Sequence, residues 1–313
     1  MRFIPVIAVL AALCQASAPA LAGCGGVSVQ AHRGARPAAE NTAEAVTLAG
    51  RKGYDAAEID IQRLRDGRWV LHHDAVTGRA VTGARAPVAS LDSAQWSRLR
   101  AVRADGSAQG APSTLGEAVA AAATAGLVLH IEVKQPASCP HVRTAVAEAR
   151  PLGDRVVWST TFPEVARCLA AEGVDYLGLV IGPSAASGMV SEKMDKAGEL
   201  ARRFGIGKER VDAVRTTVEA RYEAGANREL LAPGGLAKAS QMMAGAGTAA
   251  VHLADADYSP ALAKQAANMG LSIAVYGENG DASLAAALRS MPGSAAAAIV
   301  DGDVKAFCRA AGL

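Results

Sequence analysis

The amino-acid sequence predicts a closed barrel of eight parallel β-strands surrounded by helices, the (β/α)8 or TIM-barrel fold. Short β-type runs alternate with amphipathic stretches along the 313 residues, which indicates a largely parallel sheet. Half of the residues are hydrophobic but only 4% are aromatic, so the core is expected to be built from aliphatic and small side chains. An open doubly wound sheet is the second arrangement compatible with this alternation. No early strand is followed by G-x-G-x-x-G, so nothing indicates a dinucleotide site.

Nine runs have the composition of strands, one more than the barrel needs. The turn Asp66-Gly67 predicts that the third run folds back as a hairpin and accounts for the surplus. Helices are expected at 41–52, 115–125 and 142–150, among others. The nine predicted strands are residues 27–32, 57–61, 68–73, 127–133, 155–159, 176–181, 249–253, 271–276 and 297–300.

Composition excludes some classes of function. The 32 basic and 30 acidic residues leave a net charge of +2, so we expect no nucleic-acid partner. The five cysteines contain no C-x-x-C pair, which argues against a zinc ribbon.

The first 22 residues have the pattern of a secretory signal peptide. Arg2 precedes an apolar run from Ile4 to Leu13, and Ala20-Leu21-Ala22 provides a small-residue cleavage site. The apolar run is too short to span a bilayer, and no later segment is long enough, so no transmembrane segment is expected. We therefore predict a signal peptide over 1–22, a single barrel domain over 23–313, and a periplasmic or secreted location.

Leu21-Ala22-Gly23-Cys24 also resembles a bacterial lipobox, which makes a lipoprotein anchored through Cys24 the alternative. Cleavage after Ala22 leaves four cysteines, at 24, 139, 168 and 308, enough for two disulfides. Lipidation of Cys24 would leave an odd thiol, so the count favours a free protein, with the pairing left open.

Titratable residues stand at or near the C-terminal ends of the first four predicted strands. Active sites of such barrels lie on the face formed by those ends. Carboxylates aimed into a barrel mouth need a cation, and three of them form a hard oxygen site suited to Ca²⁺ or Mg²⁺. Two histidines at the same rim can supply a general acid and a general base. The residues concerned are His32, Glu58, Asp60, His73, Glu132 and Lys134.

Six motifs in order resemble the glycerophosphodiester phosphodiesterase family. Agreement covers residues 29–134 and weakens afterwards: Thr161-Phe162, Tyr276–Asn279 and Val300–Asp303 depart from the family pattern, and 184–248 match no motif of it. The matching motifs are His32-Arg33-Gly34, Glu40-Asn41-Thr42, Glu58-Ile59-Asp60, Asp66-Gly67, His73-Asp74 and Glu132-Val133-Lys134.

The resemblance implies a TIM barrel that hydrolyses glycerophosphodiesters, such as glycerophosphocholine, to sn-glycerol 3-phosphate and an alcohol. By it, Glu58, Asp60 and Glu132 are expected to bind one divalent cation, Ca²⁺ or Mg²⁺. His32 and His73 are expected to form the acid/base pair, while Arg33 and Lys134 contact the substrate phosphate. The sequence does not decide which histidine is the acid, and we favour His32 as acid and His73 as base.

Two other functions fit the same scaffold: a lysophospholipase D-type phosphodiesterase acting on lysolipids, and a catalytically idle binding protein. Several residues carry alternative roles. Glu40 or Asn41 is expected either to cap the first helix or to reach the site. His72, His130 and Asp301 are expected to be structural.

Overall fold

The barrel is closed. In the computed structural model, which describes residues 24–181, 205, 207, 227–277, 280–291 and 293–313, eight parallel strands follow one another around a single sheet. The first strand pairs with both the second and the last, which removes the sheet edges and rules out the open arrangement. The eight strands are β1 Ser28–Ala31, β2 Ala56–Arg63, β7 Val128–Val133, β8 Val156–Thr160, β9 Tyr176–Val180, β10 Thr248–Ala254, β11 Ser272–Tyr276 and β12 Ala297–Val300.

The surplus strand, the third of the nine predicted, is a hairpin partner of the second, as expected. Strand β3, Trp69–Leu71, runs antiparallel to β2, with Ile61 opposite Leu71. The turn between them contains Gly67 at φ 100°, a left-handed conformation that glycine adopts without steric cost.

Helices cover the outside of the barrel. The side chain of Thr42 caps the first of them by accepting a hydrogen bond from the amide of Ala45 over 3.2 Å. The helices described are α1 Ala43–Lys52, α2 Ser93–Trp96, α3 Leu115–Ala125, α4 Cys139–Ala149, α5 Pro163–Ala171, α6 Gly235–Met242, α7 Pro260–Asn268, α8 Asp281–Ser290 and α9 Val304–Ala311. Short 3-10 helices lie at Val88–Ser90, Arg150–Leu152 and Arg228–Leu231.

A small antiparallel sheet, which the sequence did not predict, is inserted between β3 and α3. It consists of β4 Val81–Thr82, β5 Arg100–Val102 and β6 Ala108–Gly110. Below, residues 75–113 are called the insertion. An apolar cluster around Trp96, separate from the main core, packs the insertion against Leu64 and Val70 of the β2–β3 hairpin. Gln109 ties it to the barrel, because its side chain accepts from the Ala39 amide over 2.6 Å and donates to Thr42 Oγ1 over 3.1 Å.

The barrel interior is polar below its mouth. His130 on β7 bonds Gln30 Oε1 through Nδ1 and Ser159 Oγ through Nε2, each over 2.7 Å. The ring of His252 on β10 packs edge-on against it at 5.0 Å between centroids. His130 therefore has a structural role, as predicted.

Two disulfides staple the chain, Cys24–Cys308 and Cys139–Cys168. The prediction that four cysteines pair is confirmed, and the pairing is resolved. In the described ranges no helix is long and apolar enough to cross a membrane. The predicted signal peptide, most of residues 184–248, and Glu278 with Asn279 lie outside the described residues.

Candidate active site

Three carboxylates meet at the C-terminal ends of β2 and β7. Each of Glu58, Asp60 and Glu132 offers an oxygen within 4.8 Å of the others, and all three residues are buried. The strand register produces this meeting, because Asp60 pairs with Glu132 across the β2–β7 ladder and Glu58 lies two residues earlier on the same face. The structure thus brings together the three residues predicted as metal ligands.

Asp60 has the richest set of partners. Asn41 Nδ2 donates to Asp60 Oδ2 over 2.8 Å, and Asn41 Oδ1 accepts from the Asp60 amide over 2.8 Å. Lys134 Nζ lies 3.4 Å from Oδ1 and Arg33 Nε lies 3.5 Å from Oδ2. Burial alone would raise the pKa of Asp60, but the charges of Lys134, His73 and Arg33 hold this pKa well below its usual value.

Glu58 has the opposite environment. Arg33, in a left-handed conformation at φ 56°, donates its backbone amide to Glu58 Oε2 over 2.8 Å. Among the described residues no cationic side chain forms an ion pair with Glu58. Burial, followed by the negative charges of Asp60 and Glu132, raises the pKa of Glu58 well above its ordinary value.

The donor set fits a divalent cation. Three buried carboxylates carry three formal negative charges, whereas Arg33 and Lys134, the cations beside them, carry two. Lys134 Nζ contacts Glu132 Oε1 over 2.7 Å. Burial alone would lower the pKa of Lys134, but the negative charges of Glu132 and Asp60 raise this pKa above its ordinary value. The excess negative charge and the raised pKa of Glu58 both fit a divalent cation bound among these carboxylates, and all-oxygen ligands suit Ca²⁺ or Mg²⁺.

His73 is held by an aspartate that is held in turn by an arginine. Its Nδ1 lies 2.9 Å from Asp74 Oδ1, and Arg79 Nε donates to Asp74 Oδ2 over 2.6 Å. Arg79 also forms a bidentate contact with Glu40, at 2.9 and 2.6 Å. Burial lowers the pKa of His73, which favours the neutral ring that a base requires.

His32 has a similar partner from the last strand. Its Nδ1 lies 2.9 Å from Asp301 Oδ1. Asp281 at the start of α8 fixes the end of β12 by accepting from the amides of Asp301, over 2.9 Å, and Gly302, over 2.6 Å. The hydrogen bond to His32 lowers the pKa of Asp301. The expectation that Asp301 is only structural is not what the contacts show, because its carboxylate orients a candidate catalytic histidine.

Neither Glu40 nor Asn41 caps the first helix, since Thr42 does so. Asn41 instead binds Asp60, and Glu40 joins Arg33 to Arg79, with Arg33 Nη1 3.2 Å from Glu40 Oε1. His72 points away from the site, where its ring lies edge-on to Trp96 at 6.0 Å. Arg79 was missed by sequence reasoning, because it lies outside every motif.

A cleft of about 710 Å³ opens beside Arg33 and His32. One wall is the loop from β1 to α1, including Arg36, and the other is formed by the insertion, including Arg79 and Arg103. Asp301 lies at its floor beside His32. The cleft therefore extends outward from His32 and Arg33. It offers space for the part of a ligand that extends beyond these two side chains.

This fold is a TIM barrel whose strand ends combine a candidate hard-cation site with two oriented histidines. Residues 32–159 match the model of the Glycerophosphoryl diester phosphodiesterase family. The matched residues include both histidines and all three carboxylates, so the predicted resemblance to that family is confirmed over this part of the chain.

Solved structures agree on the fold over nearly the whole chain. The chain is similar to a phosphodiesterase from Oleispira antarctica, solved in complex with its product sn-glycerol-3-phosphate, at 17% identity and TM-score 0.63, covering 91% of this chain and 97% of that one. It is also similar to the glycerophosphodiester phosphodiesterase from Agrobacterium tumefaciens str. C58, at 17% identity and TM-score 0.59, covering 90% and 99%. A glycerophosphodiester phosphodiesterase from Parabacteroides distasonis matches at 13% identity and TM-score 0.60, covering 93% and 100%. No curated protein has a matching sequence.

Proposed function

We propose that the protein hydrolyses glycerophosphodiesters, with glycerophosphocholine as the reference substrate, to sn-glycerol 3-phosphate and an alcohol. The observation that carries this proposal is the meeting of three buried carboxylates with two Asp-paired histidines at one barrel mouth. The bond between phosphorus and the oxygen of the leaving alcohol breaks, and the oxygen of one water ends on phosphorus. One proton of that water ends on the alcohol.

Glu58, Asp60 and Glu132 would hold one divalent cation, Ca²⁺ or Mg²⁺. When bound, such an ion supplies a Lewis acid that withdraws charge from a phosphoryl oxygen. Asn41 keeps Asp60 in place from below through its two hydrogen bonds. The net negative charge among the carboxylates is what the ion would neutralise.

Arg33 and Lys134 would bind the phosphate of the substrate. Both side chains lie beside the carboxylates, at Asp60 and Glu132, so their charges already converge where a phosphoryl group would rest. Arg33 suits a two-pronged contact and Lys134 acts as a point charge. Charge that develops on the phosphoryl oxygens would be stabilised by these preplaced cations.

The two histidines would divide the proton transfers. Because Nδ1 of each ring is engaged by an aspartate, Nε2 is the nitrogen left for the substrate. His32 lines the cleft that would hold the leaving alcohol, so we assign it as the acid. His73, which burial keeps neutral, is assigned as the base.

Release of sn-glycerol 3-phosphate from glycerophosphocholine tests the function. We expect His32→Ala and His73→Ala each to lower kcat by about 10²–10⁴-fold and a chelator to abolish turnover. His141→Ala on α4, away from the site, is the matched control. Full activity in His32→Ala would contradict the proposal. A diester with a p-nitrophenolate leaving group, which needs no acid, should restore His32→Ala much more than His73→Ala.

A lysolipid substrate finds less support. Val76 is the one large hydrophobic residue exposed in the described part of the chain, so no apolar surface for an acyl chain stands out there. Turnover of a lysolipid beside its deacylated counterpart separates the two activities.

We further propose that residues 1–22 are a cleaved signal peptide and that 23–313 form one exported barrel domain in the periplasm or outside the cell. Two disulfides support an oxidising compartment. The bond to Cys308 also uses the Cys24 sulfur that a lipid anchor would need. Intact mass of the exported protein, with and without reduction, tests this, and a lipid adduct on Cys24 would contradict it.

A further inference from the structure

We propose that the cleft beside His32 selects glycerophosphodiesters whose leaving alcohol carries an anionic group of its own, a phosphate or phosphodiester, bound by Arg36 and Arg103. This inference rests on the proposed function and specifies its substrate class. It starts from the size of the cleft, about 710 Å³, which extends well beyond the histidine and the arginine at its inner end.

Two of the four arginines lining the cleft are already neutralised. Arg79 contacts Glu40 and Asp74 at 2.6 Å, and Arg33 contacts Glu40 at 3.2 Å. These short pairs hold the guanidinium groups against protein carboxylates at the inner end of the cleft. Since Arg33 is also assigned to the phosphate that is cleaved, the outer pair, Arg36 and Arg103, is left for a second anion.

Arg36 and Arg103 have only long ion pairs. Arg36 Nη2 lies 3.7 Å from Asp301 and its side chain is 65% exposed, and Arg103 Nη2 lies 3.9 Å from Glu44 with 31% exposure. Both ion-pair separations exceed hydrogen-bond length. Arg103 Nη1 donates to Ser107 Oγ over 3.5 Å and to the Ala108 carbonyl over 3.4 Å, which leaves Nε and Nη2 of this side chain for an incoming oxyanion.

The backbone of both arginines is anchored. Lys52 Nζ donates to the Arg36 carbonyl over 2.5 Å. Arg103 sits in a tight turn in which its amide donates to Ser107 and its carbonyl accepts from Gly106, each over 2.9 Å. Gln109 joins the wall that carries Arg103 to the loop that carries Arg36. An anion would therefore meet two guanidinium groups carried by anchored segments on the two walls of the cleft.

The acidic residues of the cleft do not reverse this balance. Glu40 receives two arginines and Asp301 is engaged by His32, and the residues lining the cleft include four arginines against three carboxylates. Asp105 accepts the Ser107 amide over 2.9 Å at the exposed rim. In addition, no aromatic side chain from the described ranges lines the cleft, so a choline group would lack the aromatic cage that usually binds quaternary ammonium.

The test uses two substrates that differ by one glycerophosphate unit, which carries the second negative charge. Bis(glycerophospho)glycerol leaves an alcohol that carries a phosphodiester, whereas glycerophosphoglycerol leaves neutral glycerol. Counted per cleavable bond, we expect kcat/KM about tenfold higher for the former, as two partly exposed ion pairs would add together. The preference should fall as salt is raised, because screening weakens exposed charge pairs.

Variants locate the effect. In the double variant Arg36→Gln with Arg103→Gln the ratio between the two substrates should fall to about one, and the double Lys variant should keep most of it. Arg98→Gln, which removes one positive charge from an exposed position of the insertion outside the cleft, should keep the wild-type ratio, and each single Gln variant in the cleft is its charge-matched comparison. Thermal unfolding midpoints show that each variant is folded.

Equal turnover per bond in the wild-type protein, or a preference that survives the double Gln variant, would overturn the inference while leaving the proposed hydrolysis intact. Failure of both substrates and of glycerophosphocholine to react would instead overturn the proposed function, and this inference with it.

Discussion

Arg79 donates a hydrogen bond from Nε to Oδ2 of Asp74 over 2.6 Å, and the other oxygen of Asp74 faces His73. A residue of the insertion thereby fixes the partner of a candidate catalytic histidine in the barrel. Alone, Asp74 would be free to rotate toward solvent. With both oxygens engaged, it presents a fixed acceptor to Nδ1.

Removing this arginine should slow turnover without greatly changing substrate binding. We expect Arg79→Ala to lower kcat about tenfold with little change in KM, since loss of an orienting partner to a functional group typically costs about 10–100-fold. Arg79→Lys, which keeps one charged donor, should recover part of the loss. Steady-state kinetics on glycerophosphocholine measure this, with Arg85→Ala in the same insertion as control. An unchanged kcat in Arg79→Ala would show that Arg79 is not required to orient Asp74 toward His73.

Divalent cations should stabilise the fold through the carboxylate cluster. Ca²⁺ or Mg²⁺ at 100 times its Kd should raise the free energy of unfolding by about 2.7 kcal/mol, because only the native state assembles the three ligands. Glu132→Gln should abolish most of this gain, whereas Glu229→Gln, at an exposed position, should not. Urea unfolding with and without each ion gives the comparison, and equal stabilisation of Glu132→Gln and wild type would place the ion elsewhere.

Gly178 is required by the ring of His252. A Cβ at this position would lie 2.1 Å from His252 Nε2, and both residues belong to neighbouring strands of the buried interior. Gly178→Ala should therefore destabilise the protein by about 1–3 kcal/mol, the usual cost of overpacking a core. The same substitution in a His252→Ala background should cost much less. Additive losses in this double-mutant cycle would argue that the ring is not the obstacle.

Acid should destabilise the fold partly through His252. Burial lowers the pKa of His252 from 6.5 to about 4. Between pH 6.5 and pH 4 the histidine is therefore protonated in the unfolded chain but neutral in the native protein. The free energy of unfolding then falls as pH drops through this window, by about 2 kcal/mol between pH 7 and 5 for this one group. Chemical denaturation of wild type and His252→Gln at both pH values tests the sign. The variant should lose less on acidification, and an equal loss would assign the effect to other residues.

The sequence allowed the barrel and most of the site to be predicted, for a physical reason. Apolar runs of four to eight residues mark strands, and the polar residue that ends a run marks the mouth, so Glu58 and Glu132 could be placed before any coordinates. The insertion escaped prediction because β4, β5 and β6 are only two or three residues long and carry no periodic signal.

Contacts between distant segments also escaped it. Arg79 meets Glu40 across 39 residues, and His32 meets Asp301 across 269, distances along the chain that no local pattern encodes. Asn41 was a candidate N-cap because Asn is common at the N-cap position of helices. Its side chain instead hydrogen-bonds the buried carboxylate of Asp60, which would otherwise lack this donor.

Because the insertion is attached to the barrel through Gln109, bond cleavage and recognition of the leaving alcohol are assigned to different parts of the chain. Bond cleavage is assigned to the strand ends of the barrel, while the outer wall of the cleft belongs to a small sheet that packs through an apolar cluster separate from the main core. Sequence drift in residues 100–110 can therefore retune which alcohol is accepted without disturbing the chemistry. For protein engineering, this makes the insertion an exchangeable cassette, in which Gln109 and Arg79 are the residues to retain.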